Sequence, residues 1–480
     1  MKKLYLITSC FAAVILTGCR TNKDILNDYE KDILIGDYEH ASIEVSEKAQ
    51  EESGDQLLWQ LSAAGANHLS GNSEKAIEQF DAAEDVFAKN DAESVFSQGA
   101  SGTCAMMTND RAFPFAGGGQ DRIFTCLYKA IDYAAAKNTD AARTELNRAA
   151  QHQENWIFER RKDIEAAREK MKEDAEAYAK ENESENKDCG DSVNKAFSDS
   201  AFTAAIKEKT GFDPSVDGNL ETLSQKDYLN GYAQHVCGVF RWITDGDGYD
   251  FFKGLPEICA SNEMVMVDCH EAKNRVKPNN QVWIYIEDGL APCREEWRLD
   301  LPLAFIPFAG KYVLYAGMAL PYLRYRDPAS TAYTVNAAGV SKQMEVLQDM
   351  DRLEKVEHDV YLKGALTREI TRVIVKVGAQ VALGVAYDAC DNQYAKLGIK
   401  ASQVAVAAYA ASVTQADLRN WTAKPKRIFA VRITRPDDGK IVISSDAGNV
   451  AEIQLPEGNS MVFVNKPSMQ AKPSVKVATF

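Results

Sequence analysis

The sequence lacks the residue patterns by which many enzymes and metal proteins are recognised. No Cys-x-x-Cys pair occurs among its ten cysteines, so the ligand spacing of a common zinc site is missing. Gly117 to Gly119 precede a predicted helix, but no Lys-Ser or Lys-Thr pair follows as it would in a phosphate-binding loop, and we interpret Phe113–Gly119 as a flexible connection. Asp245 and Asp247 lack the other ligands of a calcium loop. We therefore expect no metal, no cofactor and no catalytic residues.

Positive charge is also scarce. The 480 residues include 55 Lys and Arg against 70 Asp and Glu, a net charge of −15. Binding to nucleic acid needs a dense cationic surface, so this balance excludes a general nucleic-acid-binding protein. The length is sufficient for two or three domains, and the 45% share of apolar residues is that of an ordinary globular protein.

The N-terminus has the pattern of a secretory signal peptide. Lys2 and Lys3 precede an apolar run from Leu4 to Leu16, which is too short for a membrane-spanning helix. The four residues Leu16-Thr17-Gly18-Cys19 resemble the lipobox of bacterial lipoproteins, which implies that residues 1–18 are removed and that Cys19 carries a lipid anchor. Arg20 stands where an aspartate would imply retention at the inner membrane, so the outer membrane, periplasmic face, is predicted. The alternative is an ordinary signal peptide with a chance cysteine.

Eight cysteines remain after Cys10 and Cys19 are set aside. An even number in an exported chain is compatible with disulfides, although eight cysteines allow about 105 pairings. The local candidates are Cys104 with Cys126 and Cys259 with Cys269.

Helical hairpins are predicted for residues 55–272, after a tether and first helix at 19–54. Small residues and one bulky side chain recur where a tetratricopeptide repeat (TPR) places them, with a turn at Gly71. They are Ala64, Gly71, Ala76, Phe80 and Ala83. A second copy comprises Ala130, Tyr133, Ala142, Leu146 and Ala149, about two repeats of ~34 residues later. A third unit is predicted for 228–260, and an unrelated helical bundle is the alternative.

A long charged helix is predicted for residues 156–188. Ile157, Ile164, Met171 and Tyr178 recur every seven residues, while the flanks are charged. This narrow apolar line is typical of a helix that pairs in a coiled coil or of a solvated surface helix.

A mixed α/β domain is predicted for residues 273–465, followed by a flexible tail at 466–480. The expected elements are strands near 282–286 and 297–301, helices at 343–377 (with a break near Gly364) and 401–413, and an antiparallel sheet at 428–434, 440–444, 452–455 and 460–464. The predicted fold class is therefore α+β, an N-terminal TPR-like helical domain and a smaller mixed α/β domain with antiparallel strands.

Six spaced segments carry a resemblance to an uncharacterised family of bacterial lipoproteins with TPR-like helical repeats. They are Glu287–Pro292, Arg294–Pro302, Tyr315–Pro321, Leu366–Ile370, Ala416–Trp421 and Leu455–Ser460. The resemblance spans the whole mature chain. It implies a role in envelope biogenesis linked to peptidoglycan synthesis, and it supplies no active site.

Three sets of side chains are candidates for function. The repeat groove is predicted to bind a protein through Trp59, His68, Tyr128 and Tyr133. A basic and aromatic cluster could bind glycan through Trp421, Lys424, Lys426 and Arg427, whereas the alternative is a buried tryptophan with exposed lysines. The acidic pairs considered for hydrolysis are Glu287 with Asp288, Glu295 with Glu296, and Asp349 with Asp351; adjacent carboxylates on a strand point to opposite faces.

The function predicted from these patterns is a non-catalytic protein–protein interaction scaffold. It would be anchored to the membrane through Cys19, with envelope proteins as partners and peptidoglycan as an alternative partner. A glycan-binding module or a glycan-acting enzyme in the C-terminal domain is the alternative function.

Overall fold

A computed structural model of the chain describes residues 22–96, 109–156, 195–259, 261–301 and 312–480. Cys19 and the predicted signal peptide lie outside the described residues, as does residue 157 onward of the predicted long charged helix.

The first half of the described chain is helical. The longer helices are α1 (Asn22–Ile35), α2 (Tyr38–Lys48), α3 (Gln56–Ser70), α4 (Ser73–Phe96), α5 (Gly119–Ala135), α6 (139–156), α7 (Ser200–Thr210), α8 (Gly231–Asp245) and α9 (Glu263–Lys273). One-turn α-helices are at Gln225–Tyr228, Tyr249–Phe252 and Leu255–Ile258, and 3₁₀ turns are at Asp110–Ala112 and Leu220–Thr222. Residues 195–198, where description of the chain resumes, are also helical.

Two helical hairpins, α3 with α4 and α5 with α6, have their turns where the sequence predicts. Gly71 closes α3 with a φ of +87°, a left-handed conformation that glycine adopts without strain. Ala64, Ala76 and Phe80 are fully buried, as expected for closely packed helices. After α8 the chain turns at Gly246 into a helix of only one turn, so the described part of 228–260 does not form a third hairpin of this kind.

The second half contributes three sheets. The strands are β1 (Gln281–Asp288), β2 (Cys293–Asp300), β3 (Gly317–Arg324), β4 (Tyr333–Ala337), β5 (Val340–Gln343), β6 (Glu345–Asp349), β7 (Arg427–Thr434), β8 (Lys440–Ser445), β9 (Gly448–Gln454), β10 (Ser460–Lys466) and β11 (Ser474–Thr479). They form a five-stranded sheet in the order β11-β10-β1-β7-β6, a β2-β3 hairpin and a four-stranded sheet in the order β5-β4-β8-β9. The molecule is thus α+β. The strands predicted to form one antiparallel sheet instead divide between two, and β1 pairs parallel with β10.

The five-stranded sheet is covered on both faces. Val282, Ile284 and Ile286 of β1 face a core shared with the four-stranded sheet, whereas Trp283 and Tyr285 belong to the core that contains the helices. Side chains alternate along a strand, and a strand buried on both faces is therefore apolar at every position. Helices and strands on either side of residue 273 consequently share one hydrophobic core.

Two long helices, α10 (Met350–Ala389) and α11 (Gln393–Val413), connect β6 to β7, its neighbour in the five-stranded sheet. The predicted start at residue 343 and the break near Gly364 are both wrong. Residues 345–349 pair with β7 as a strand, and one glycine inside a 40-residue helix costs only about 1 kcal/mol. By length and composition α10 could cross a membrane, but 56% of its most apolar stretch is buried inside the protein.

The tail and the cysteines also differ from expectation. The tail predicted to be flexible includes β11, which pairs with β10 and buries Ala478. Cys259 and Cys269 are free thiols, so the predicted bridge between them is wrong. The Cys259 thiol instead donates to the Leu347 carbonyl at 3.1 Å.

Candidate functional site

The predicted glycan-binding tryptophan is part of the core. Trp421 is fully buried and packs edge-on against Phe80 and Tyr128, with ring centroids 6.1 Å away in each case. Gly65 lies against the same indole ring, where a Cβ would crowd it. The prediction that Trp421 stacks on a glycan is therefore wrong, and the alternative is correct for the tryptophan, which is buried.

The cations near Trp421 are engaged inside the protein and are not exposed as that alternative supposed. Lys424 is buried between Asp121 and Glu354, at 2.7 and 2.5 Å. The remaining two pairs are Lys426 with Asp351 and Arg427 with Asp288. Separate ion pairs leave no shared basic surface for a glycan.

Three of the four predicted groove residues are also buried. Trp59, His68 and Tyr128 belong to the core, and only Tyr133 keeps partial exposure. The His68 ring stacks on Tyr128 at 4.2 Å and its Nδ1 lies 2.8 Å from a carboxylate oxygen of Asp132. These side chains hold the helices against the sheet and are not available to a protein partner.

Two of the three acidic pairs considered for catalysis have structural contacts, and Asp351 of the third is paired with Lys426. Glu295 contacts Arg324, and Glu296 contacts Arg298 at 2.7 Å. On β1, Glu287 and Asp288 point to opposite faces. Glu287 accepts hydrogen bonds from the Tyr128 and Tyr232 hydroxyls and the Asn465 amide. Asp288 accepts from the Ser330 amide, Tyr333 and Arg427.

One group of side chains has the donor atoms for a metal. The carboxylates of Glu84 and Glu145 and the thiol of Cys126 offer ligand atoms within 4.8 Å of one another. The buried Lys129 ammonium, however, lies 3.1 Å from Glu84 and 3.0 Å from Glu145, and also contacts Asp81. Because a cation already occupies the space between the carboxylates, the group is an ion-pair network.

A cavity of about 290 Å³ lies between the glycine-containing stretch (Phe113–Gly119), the first half of α10, the β2-β3 hairpin and the chain that follows α11. We call it the central cavity. It is lined by Asp110, Phe113–Gly118, Asp121, Arg294, Leu323, Glu354, Glu357, His358, Tyr361, Arg368, Asp417, Arg419, Asn420 and Lys424.

The glycine-containing stretch forms one wall of the central cavity and is held in place. The backbone amide of Phe115 donates to the Gly54 carbonyl at 2.7 Å, and the side-chain amide of Asn90 donates to the Phe115 carbonyl at 3.0 Å. Gly117 has a φ of +69°, and a Cβ on Gly119 would overlap Trp156. The prediction of a flexible connection is therefore wrong.

The N-terminus of α5 binds a carboxylate of this chain. The backbone amides of Gly119 and Gln120 donate to the two oxygens of the buried Glu357, the latter at 3.2 Å. The first amides of a helix have no partner within the helix and carry partial positive charge, so they favour an anion. Glu357 thereby fixes α10 against the start of α5.

Most charges around the cavity are matched by opposite charges. Asp110 contacts Arg368 and Arg372, and although burial alone would raise its pKa, these two guanidinium groups lower it. Arg419 contacts Asp417 at 2.8 Å and Asp55 at 2.9 Å.

The carboxyl of Glu354, on the other side of Lys424, behaves differently. Burial, with the nearby charges of Glu357 and Asp121, raises its pKa to about 7 against the attraction of Lys424.

Two groups in the wall are not matched among the described residues. Arg294 lies over the Tyr361 ring at 4.5 Å and donates to the Arg419 carbonyl at 3.2 Å, but no carboxylate is paired with it. His358 is 3% exposed, and neither ring nitrogen makes a hydrogen bond of ordinary geometry, although the Pro321 carbonyl is near. Burial, together with Arg294 and Lys355, holds the pKa of His358 well below its usual value, so the ring is neutral at neutral pH.

Neither residue is identified by its local sequence. Arg294 lies within a matched segment of the resemblance, and Arg368 and Arg372 follow the four-residue spacing of one helix face. His358 has no local signal at all. No protein-family model, curated protein or solved structure matches the chain, so the resemblance to a lipoprotein family stays a prediction.

Proposed function

We propose that this protein binds a small anionic ligand in the central cavity, without catalysis, while tethered to the bacterial outer membrane. The observation that carries the proposal is the pair of unmatched groups, Arg294 and His358, in a wall whose other charges are largely paired. A guanidinium with unused donors and a neutral imidazole suit a carboxylate or phosphate group.

The size and the lining narrow the ligand class. About 290 Å³ is at the lower end of the range for small-molecule sites, so the ligand is a small metabolite and not a polymer. Asp417 and Asn420 also line the cavity, but they are bonded within the protein, Asp417 to Arg419 and Asn420 to the Arg294 backbone amide and the Pro292 carbonyl. Arg294 and His358 are therefore the groups offered to the anion.

The tether and the scaffold role come from the sequence. The lipobox-like residues support lipidation at Cys19, and the paired helices with buried alanines support a TPR-like arrangement, which we retain as proposals. The scaffold role no longer has Trp59, His68 or Tyr128 as contacts, and would need another surface.

Calorimetric titration of the purified mature chain tests the ligand proposal. The probes are a dicarboxylate, an acidic amino acid, a hexose phosphate and inorganic phosphate. Arg294→Met should weaken binding of the best probe about 10- to 100-fold, because a hydrogen bond to a charged group contributes about 1.5–3 kcal/mol.

Arg298→Met is the matched control. Arg298 lies on the same strand but is paired with Glu296 outside the cavity, so its loss should leave affinity unchanged. Equal effects of the two substitutions, or no binding of any anion, would contradict the proposal.

A further inference from the structure

Helix α11 is apolar on two sides. One side packs against other described parts of the chain, and the other side is exposed. The inner side includes the buried residues Gln403, Ala407 and Ala410. Gln403 donates to the carbonyls of Tyr312 and Gln380, which fixes this side against α10 and the chain before β3.

The outer side of α11 carries a continuous apolar face. Tyr394, Leu397, Ala401, Val404 and Ala408 follow one another at intervals of three and four residues and are all exposed. Tyr394 is 88%, Leu397 72% and Val404 52% exposed. Single exposed apolar residues are ordinary, but a face of five along one helix marks an interaction surface. We call it the outer face.

The charge of α11 points to the kind of surface that it meets. From Gln393 to Val413 the only charged residues are Lys396 and Lys400, although the chain as a whole has a net charge of −15. Both lysines lie on the side toward α10, where Lys396 is over the Tyr387 ring at 5.4 Å and Lys400 donates to the Gln403 side chain at 2.8 Å. A helix with an apolar face, aromatic residues and only basic charges beside that face suits an anionic bilayer surface.

The end of α11 lies close to the point where the predicted anchor enters the fold. The Asn22 amide at the start of α1 donates to Asp55 at 3.0 Å, and Asp55 contacts Arg419 at 2.9 Å, six residues after Val413. Two residues, Arg20 and Thr21, separate Cys19 from Asn22, a span of at most about 10 Å. An acyl chain on Cys19 would therefore hold this end of α11 near the bilayer.

We infer that α11 is a second membrane contact, which lies on an anionic bilayer surface through its outer face. The inference rests on the proposed tether at Cys19 but not on the cavity ligand. A second contact of this kind would fix the orientation of the fold on the bilayer, which an anchor at a single residue does not do.

Co-sedimentation with vesicles tests the inference without the anchor. The full mature chain with Cys19→Ser is mixed with vesicles of phosphatidylethanolamine, with or without phosphatidylglycerol. We expect binding to the anionic vesicles, and at least a tenfold loss of partitioning for the double variant Leu397→Asp, Val404→Asp. Both positions are exposed, so the variant should remain folded.

Val340→Asp is the control, since Val340 is a comparably exposed apolar residue on β5. It should bind vesicles like the parent. Titration of the anion probes into the double variant separates the two proposals, because the cavity should be unaffected.

Three results would overturn the inference. They are no binding to anionic vesicles, equal binding by the double variant, and a dimer in sedimentation equilibrium that the double variant abolishes. Such a dimer would show that the outer face binds a second copy of this chain.

Discussion

Two buried histidines in this protein have opposite surroundings. His235 is fully buried, and both of its ring nitrogens have partners: Nδ1 lies 2.9 Å from the Tyr285 hydroxyl, and Nε2 lies 3.0 Å from Asp268. His358 is almost as deeply buried, yet neither nitrogen has such a partner.

The difference separates a structural network from a binding site. Asp268 also accepts hydrogen bonds from Trp283 and Arg432, so the polar atoms around His235 satisfy one another in a sealed space between helices and sheet. Burying an imidazole without partners costs free energy. We therefore propose that His358, which lies beside the central cavity, contacts a ligand.

The largest expected effect comes from breaking the sealed network. His235→Phe keeps a ring of similar size but leaves the Tyr285 hydroxyl without a partner and removes one hydrogen bond to Asp268, which keeps Trp283 and Arg432. An unsatisfied buried group costs about 1–3 kcal/mol and a hydrogen bond to a charged group contributes about 1.5–3 kcal/mol, so we expect a loss of about 3 kcal/mol in the free energy of unfolding. Urea denaturation measures it, and anion affinity of the folded variant should be unchanged.

The same substitution at the cavity should change stability little and weaken anion binding strongly. His358→Phe removes a ring whose nitrogens make no hydrogen bond of ordinary geometry, so the free energy of unfolding should change by less than about 1 kcal/mol. Binding of the best anion probe should weaken at least about tenfold, because the ring no longer donates a hydrogen bond. A large loss of stability with intact binding would show that both histidines are structural.

A smaller effect should appear in the pH dependence of stability. Since burial raises the pKa of Glu354 from 4.5 to about 7, the folded protein binds this proton more tightly than the unfolded chain. Stability therefore falls as pH rises from about 4.5 to about 7.

Glu354→Gln removes this loss of stability with rising pH. The free energy of unfolding of the variant, relative to that of the parent, should therefore increase across this window, on the order of 1 kcal/mol. Denaturation at pH 5 and pH 8 measures the change. Glu295→Gln is the control: its carboxyl is exposed and has a lowered pKa, so no such relative gain is expected. A relative stability of the Glu354→Gln variant that does not rise with pH would contradict the assignment.

Secondary structure was predictable where a pattern is local. The turn at Gly71, the hairpins around it and at Lys137, and the strand Val282–Ile286 all follow from residue spacing and turn chemistry. The errors at Glu345–Asp349 and in the C-terminal tail have one cause. Both segments are strands because distant strands pair with them, which no local pattern records.

The candidate site was harder to predict because its parts are far apart in sequence. Gly117, Arg294, His358 and Arg419 come from four separate segments and meet only in the folded chain. Trp421 and its neighbouring cations have the composition of a surface site, and the composition does not reveal that Trp421 is buried and that each cation is paired with a carboxylate.

The sequence by itself determined the acidic balance, the helical hairpins, the mixture of helices and strands, and the lipobox-like start, because composition and short-range spacing are properties of the chain alone. Only the tertiary structure decided which polar groups are matched, since Arg294 and His358 differ from Arg427 and His235 in their neighbours and not in their chemistry. Pairing and burial depend on contacts between residues that lie far apart along the chain.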